Sequence, residues 1–143
     1  MTTLVIDELR TTLEQDFQVA NRIQINTVRP MLYIHNAPAG SVTVTLKKGS
    51  TILSSATLSI ANIISMASLS NFTWGTFSFY LDEDVVLHPD TDYTLELSSS
   101  GYSYSESSYI GMVKPHENPK NTFEDTAINS YENAFGFELW GYK

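Results

Sequence analysis

Few residues of this 143-residue chain have a type and spacing that would support nucleophilic catalysis. There is no cysteine, which excludes thiol catalysis and cysteine-ligated metal sites. A catalytic serine or threonine needs an adjacent base, but His35, His88 and His116 lie at a strand end or in turn-like sequence, outside any recognisable nucleophile motif. We interpret all three as loop or surface histidines and expect neither enzyme activity nor a cofactor. Glycoside hydrolysis is an alternative that needs two acids facing each other across a groove.

Acidic residues are concentrated between positions 81 and 100, which hold six aspartates and glutamates and no lysine or arginine. Carboxylates in loops are ligands that Ca²⁺ prefers, so the calcium candidates of this segment are Asp82, Asp84, Asp90 and Asp92. The segment does not continue as an EF-hand, and the adjacent His116 and Glu117 lack the i, i+4 spacing of a helical zinc pair. We therefore favour solvated acidic turns over a metal site.

A group of tyrosines and tryptophans falls outside the predicted hydrophobic core. A ring that stacks on the C–H face of a sugar, with amide or carboxylate groups beside it, is typical of a glycan-binding site. Tyrosine and tryptophan are also enriched at protein interfaces, and we favour a subunit interface over a sugar platform. The candidates for either role are Trp74, Tyr102, Tyr104, Tyr109, Trp140 and Tyr142, with Glu106, Asn118 and Asn121 as polar partners.

Alternating apolar and polar residues predict that β-strands hold these side chains in place. The pattern is strictest over residues 41–47, where Val42, Val44 and Leu46 share one face. A tight turn at residues 48–50 predicts a return strand that points Ile52 inward. With this pair, about eight strands are predicted, the others over residues 31–35, 74–81, 85–87, 93–98, 109–113 and 135–142.

Three stretches interrupt the alternation. Residues 59–69 have helical spacing, and Ser59 is suited to cap a short crossover helix. Residues 82–84 are predicted to form a turn. Residues 114–134 lack a clear period, and a loop of this length is typically functional or contacts a partner.

The N-terminal stretch has a different period, because Ile6, Leu9, Leu13 and Phe17 recur at intervals of three and four residues. This spacing predicts an amphipathic helix over residues 3–17. Its apolar residues would bind a neighbouring subunit. A short strand at residues 4–6 is the alternative. We divide the chain into an arm at residues 1–16 and one domain at residues 17–143.

Composition restricts the classes of fold and partner. The mass of 16.0 kDa is the size of one domain, and serine and threonine make up 32 of the 143 residues. This content suits exposed β-structure, and we expect an all-β, two-sheet Greek-key sandwich. The net charge of −8 argues against nucleic acid or an anionic membrane surface as partner. Neither a membrane-spanning apolar run nor a secretory signal is recognisable.

Three segments, residues 74–79, 87–97 and 104–111, together resemble small jelly-roll domains of the galactose-binding-like type. Similar domains are common in structural proteins of tailed phages. The resemblance implies a virion protein that assembles in the host cytoplasm, with other virion proteins and copies of itself as partners. A capsid decoration protein that cements the particle is the expected function. A carbohydrate-binding host-attachment module of a head or tail fibre is the alternative, with a glycan as partner.

Overall fold

The computed structural model describes residues 2–5, 12–36, 39–67, 72–114, 128–129 and 137–142, and the structural statements below concern these residues. They are mostly β-structure, arranged in two antiparallel sheets with a single short helix. The elements in chain order are β1 (Thr2–Val5), β2 (Thr12–Val19), β3 (Ile23–His35), β4 (Ser41–Lys48), β5 (Thr51–Ser59), α1 (Ile60–Ala67), β6 (Phe72–Thr76), β7 (Phe79–Leu87), β8 (Tyr93–Ser100), β9 (Tyr109–Lys114), β10 (Ile128–Asn129) and β11 (Phe137–Tyr142).

The first sheet is built around β3, which is thirteen residues long. On one side β3 pairs with β7 and then β6, and on the other with β11 and then β9. β1 extends this sheet beyond β9. Opposite β11, Asn26 is an extra residue of β3, which indicates a β-bulge. Opposite β7 the register also shifts here, and residues 81–84 of β7 have no pairing partner on β3. Since an extra residue reverses the alternation, Ile25 and Val28 both point into the core.

The second sheet has the strand order β10-β2-β8-β4-β5. Its inward residues alternate with outward hydroxyl-bearing or charged residues, as expected for a sheet with one buried face. These inward residues join those of β3, β7 and β11 in one hydrophobic cluster. The all-β class predicted from the sequence is therefore confirmed, with the core between the two sheets.

The crossover helix is confirmed as α1, which connects β5 of the second sheet to β6 of the first. The backbone N–H of Asn62 donates to Ser59 Oγ at 3.1 Å, so Ser59 is the predicted N-cap. The N–H of Ile60 donates to the carbonyl of Gly40 at 2.9 Å. Ile60 and Ile63 are fully buried, which fixes the helix against the core.

The predicted N-terminal helix is wrong for the described residues, because residues 2–5 and 12–19 are strands. Leu13 and Phe17 are each only 1% exposed and belong to the core of their own chain. A spacing of four residues fits both a helix and a strand, and the polar Gln15 on the same inward side conceals the alternation. β2 runs across the expected boundary between residues 16 and 17, while Ile6 and Leu9 lie outside the described residues.

Two further local predictions are wrong. Residues 82–84 belong to β7 and do not form a turn. Ile52 is 63% exposed, because the register of β4 and β5 shifts between Leu46 and Lys47. Of the long loop predicted at residues 114–134, residues 115–127 and 130–134 lie outside the described part, and residues 128–129 form β10.

Candidate binding surface

The outer faces of the two sheets differ in chemistry. The second sheet presents hydroxyl-bearing and charged side chains that bond to one another. Thr43 and Thr57 share a hydrogen bond of 2.7 Å, and Thr94 donates to Asp16 at 2.8 Å. Lys47 forms an ion pair with Glu96, whose hydrogen bond raises the pKa of Lys47. This face is polar and well suited to water.

The outer face of the first sheet, together with the loop at residues 101–108, carries aromatic rings along β3 and its neighbours. We call this surface the aromatic face. From Thr27 to His35 it extends over eight residue steps, which corresponds to roughly 26 Å of strand. Rings cluster at both ends of this length, and the two clusters are described separately as the tyrosine end and the tryptophan end.

The tyrosine end consists of Tyr33, His35, Tyr104 and Tyr109. The Tyr109 ring lies at its centre, with centroid distances of 5.9 Å to Tyr33, 5.1 Å to His35 and 6.0 Å to Tyr104. Tyr33 and Tyr109 stack at an interplanar angle of 22°. Tyr104 remains 38% exposed. The cluster therefore presents rings to solvent that are held in place by one another.

Hydrogen bonds that involve Asn36 and Tyr102 hold the loop that carries Tyr104. The Asn36 amide donates to the carbonyl of Ser107, and Ser108 Oγ donates back to the Asn36 carbonyl at 3.3 Å. The Tyr102 hydroxyl accepts from the backbone N–H of Ile110 at 3.2 Å, and its ring packs against the core. Tyr102, a sequence candidate for ligand contact, thus supports the loop.

The tryptophan end consists of Arg29, Tyr80, Glu138 and Trp140. Arg29 Nη1 lies 3.1 Å from Glu138 Oε1, and the Trp140 indole N–H donates to the same oxygen at 3.3 Å. The Arg29 guanidinium carbon is 5.2 Å from the centroid of the Trp140 ring, within cation–π range. Trp140 is nevertheless 42% exposed, and Tyr80 is 73% exposed.

The environment of Tyr33 predicts a pH-dependent stability. Burial raises the pKa of the Tyr33 phenol, and the charge and hydrogen bond of Tyr109 raise it further. At neutral pH the phenol is protonated in both the folded and the unfolded chain. Above the ordinary tyrosine pKa of about 10, the unfolded chain releases its proton first, so stability falls as the pH rises.

We expect the free energy of unfolding of Tyr33→Phe to decline less steeply than that of the unmodified protein between about pH 9 and pH 11. Urea unfolding at several pH values measures both slopes. The comparison cancels the contributions of titrating groups that do not interact with Tyr33. Equal slopes for the two proteins would contradict the expectation.

The sequence candidates are only partly brought together. Tyr104 and Tyr109 meet at the tyrosine end, and Trp140 lies at the other. Trp74 occupies the register position opposite Tyr33, and Tyr142 the one opposite Gln24, but their side chains lie outside the described part of the chain. The residues that the sequence did not single out are Arg29, Tyr33, Tyr80 and Glu138, and His35 was interpreted only as a surface histidine. In the sequence these residues are marked only by their positions on the outward-pointing sides of β3, β7 and β11.

Three of the four calcium candidates are hydrogen-bonded to separate neighbours. Asp82 accepts from Ser55 Oγ at 3.4 Å, and Asp84 from the Gln24 amide at 3.2 Å. Asp92 accepts from the Gln18 amide at 2.6 Å, while Asp90 has a positive φ of 56° in the turn after His88. Within the described ranges, no three histidine or acidic side chains are grouped closely enough to hold a metal ion.

Comparisons with known proteins find no family model and no curated protein that matches this chain. In the part of the chain that the structure describes, no helix has both the length and the apolar character required to cross a membrane.

Proposed function

We propose that this chain is a non-catalytic structural protein of a tailed-phage particle, a capsid decoration protein that binds its neighbours through the tyrosine end. The assignment to a phage particle rests on the resemblance of three sequence segments to jelly-roll domains that are common in structural proteins of tailed phages. A jelly-roll form of the sandwich is part of the proposal. It is supported by the path of the chain, which passes between the two sheets at nearly every connection instead of completing one sheet first.

The observation that carries the proposal is the difference between the two outer faces. Exposure of an aromatic ring to water is unfavourable. Tyrosine and tryptophan are enriched at interfaces because they combine a large apolar area with a polar edge. At the tyrosine end, Tyr104 is exposed beside three half-buried rings. The outer face of the second sheet, in the part that the structure describes, presents mostly hydroxyl-bearing and charged side chains that bond to one another.

Of the two binding surfaces expected from the sequence, the proposal keeps the interface aromatics Tyr104 and Tyr109 but not the described part of the N-terminal arm. An N-terminal helix was expected to insert its apolar residues into a neighbour, but Leu13 and Phe17 are used in the chain's own core. They are therefore not available for a partner. Contacts by Ile6, Leu9 and the segment at 114–134 stay predictions. We therefore propose that the tyrosine end, and not Leu13 and Phe17, binds the neighbouring subunit.

The proposal predicts that Tyr104→Ser weakens attachment to the particle. Truncation of a tyrosine that is a binding hot spot costs at least about 2 kcal/mol, so we expect the affinity to fall by at least roughly tenfold. Purified protein is added to particles prepared without it, and the bound fraction is measured by co-sedimentation. Ile52→Ser, which removes an exposed apolar side chain from the second sheet, is the matched control.

Attachment by the unmodified protein and by Ile52→Ser, but not by Tyr104→Ser, would support the proposal. Failure of the unmodified protein to attach would overturn it, and so would attachment of Tyr104→Ser with undiminished affinity. Folding of each variant is checked by its urea-unfolding midpoint, so that a misfolded variant is not counted.

A carbohydrate-binding host-attachment module of a head or tail fibre is the second candidate. It is favoured by the exposed ring of Trp140, which Arg29 and Glu138 hold in one orientation. The two functions are compatible in one molecule, because the residues involved lie at opposite ends of the aromatic face.

A further inference from the structure

We infer that the tryptophan end is a binding site for a neutral carbohydrate, in which the Trp140 ring stacks on a sugar and Glu138 and Arg29 bond to its hydroxyl groups. The inference deepens the second candidate function and rests on the aromatic face being a binding surface. It does not depend on the tyrosine end or on attachment to a particle.

The orientation of the Trp140 ring is fixed before any ligand arrives. Its indole N–H is held by Glu138 Oε1 at 3.3 Å, and the Arg29 guanidinium lies 5.2 Å from its centroid. The same guanidinium is anchored by its ion pair with Glu138 at 3.1 Å. A ring held in this way loses little conformational freedom on binding, which favours affinity for a small ligand.

Polar groups that a sugar requires surround the ring. Both bonds to Glu138 end on Oε1, and a carboxylate accepts hydrogen bonds at two oxygens. The guanidinium of Arg29 is a donor only. The side chains of Arg29 and Glu138 are 28% and 38% exposed, so hydroxyl groups can reach both. A stacking ring with a donor and an acceptor beside it matches the C–H face and the hydroxyl rim of a pyranose.

A second ring lies across β3 from the first. Trp140 and Tyr80 are the register partners of Thr27 on its two sides. Strand spacing therefore separates their backbones by roughly 9.5 Å. Both rings are exposed, and the small Thr27 lies between them. This arrangement gives a sugar chain two ring contacts along one line across the sheet.

The ion pair distinguishes a carbohydrate from a protein as the ligand. A protein interface would remove Arg29 and Glu138 from water, and the desolvation cost of a charged pair can exceed the attraction within it. Sugar hydroxyls replace the lost water as hydrogen-bond partners, which avoids this cost. The net charge of −8 and the presence of Glu138 disfavour an anionic glycan.

The test follows the indole N–H signals of the ¹⁵N-labelled protein by NMR. The chain has two tryptophans, and Trp140→Phe assigns the signal of Trp140 by its disappearance. Soluble dextran, mannan and galactan fragments are titrated, with a sialylated oligosaccharide as the anionic comparison. We expect at least one neutral glycan to shift the Trp140 signal with saturation at about millimolar concentration, and the anionic one to leave it in place.

Variants then locate the site. We expect Trp140→Ala to reduce retention on an immobilised form of the active glycan at least tenfold, and Trp140→Phe to retain part of the binding because a ring remains. Ile52→Ala should bind like the unmodified protein. An unmoved Trp140 signal with all three neutral glycans at about 10 mM would overturn the inference, and so would full retention of Trp140→Ala. Neither measurement uses phage particles, so its failure is separate from failure of particle attachment.

Discussion

Replacing Phe17 by alanine is expected to lower the free energy of unfolding by about 3–5 kcal/mol, which is the usual cost of removing a buried aromatic ring. Phe17 is only 1% exposed. Its ring lies 5.8 Å from that of Tyr93 in the same sheet and 5.3 Å, edge to face, from that of Phe137 in the opposite sheet. Truncation therefore removes contacts that connect the two sheets and leaves a cavity between them.

Urea unfolding of Phe17→Ala and of a control measures this cost. The control is Thr12→Ala, an exposed outward position of the same strand, which should change the free energy of unfolding by less than about 0.5 kcal/mol. If Phe17→Ala is too unstable to purify, Phe17→Leu retains most of the volume and should cost less. A helical arm that docks on a neighbour predicts the reverse, namely unchanged stability of the isolated protein. Unchanged stability would thus contradict burial of Phe17.

The contrast between β2 and β4 shows what local sequence can and cannot predict here. In β4, Val42, Val44 and Leu46 alternate with polar residues without interruption, so the strand and its inward face were predictable. In β2, the inward series is Leu13, Gln15, Phe17 and Val19. Gln15 is buried although it is polar, and its amide donates to the carbonyl of Asp16 at 2.8 Å. Because Gln15 is polar, the apolar residues on either side of it, Leu13 and Phe17, are four positions apart, and a helix has the same spacing.

Individual residues of the proposed binding surface were predictable from the sequence, but their contacts with one another were not. Tyr104, Tyr109 and Trp140 were recognised from their type and their position outside the core. Their partners were not, because those contacts depend on which strands pair and in which register. Arg29 meets Glu138 only because β11 lies beside β3, and the two residues are far apart in the chain. The bulge at Asn26 adds to this difficulty, since it decides which side chains of β3 point outward.

Replacing Gly40 by alanine is expected to lower the free energy of unfolding by about 2–6 kcal/mol, through backbone strain and steric overlap together. Gly40 has a φ of 110°, which residues with a side chain rarely adopt. A Cβ at this position would lie 2.5 Å from the carbonyl oxygen of Ser100 and 2.8 Å from the carbonyl carbon of Gly101. Both are backbone atoms, so neither can move aside without shifting the end of β8.

The position of Gly40 also matters for α1, because its carbonyl accepts the hydrogen bond of Ile60 at 2.9 Å. A displaced backbone at Gly40 should therefore loosen the first turn of the helix as well as the end of β8. Amide hydrogen exchange of Ile60 reports the first effect, and urea unfolding reports the total. We expect Gly40→Ala to accelerate exchange at Ile60 even under conditions in which most of the protein is folded.

Gly49 provides a control at which a positive φ occurs without steric overlap. It also has a positive φ, 61°, but an added Cβ would meet nothing within 4 Å. Gly49→Ala should therefore cost only the left-handed backbone penalty, about 1–2 kcal/mol, and should leave exchange at Ile60 unchanged. Equal losses of stability in the two variants would contradict the expected extra cost of overlap and strain at Gly40. A larger loss for Gly40→Ala, with faster exchange at Ile60, would support the expectation that a side chain at Gly40 displaces the end of β8 and loosens the start of α1.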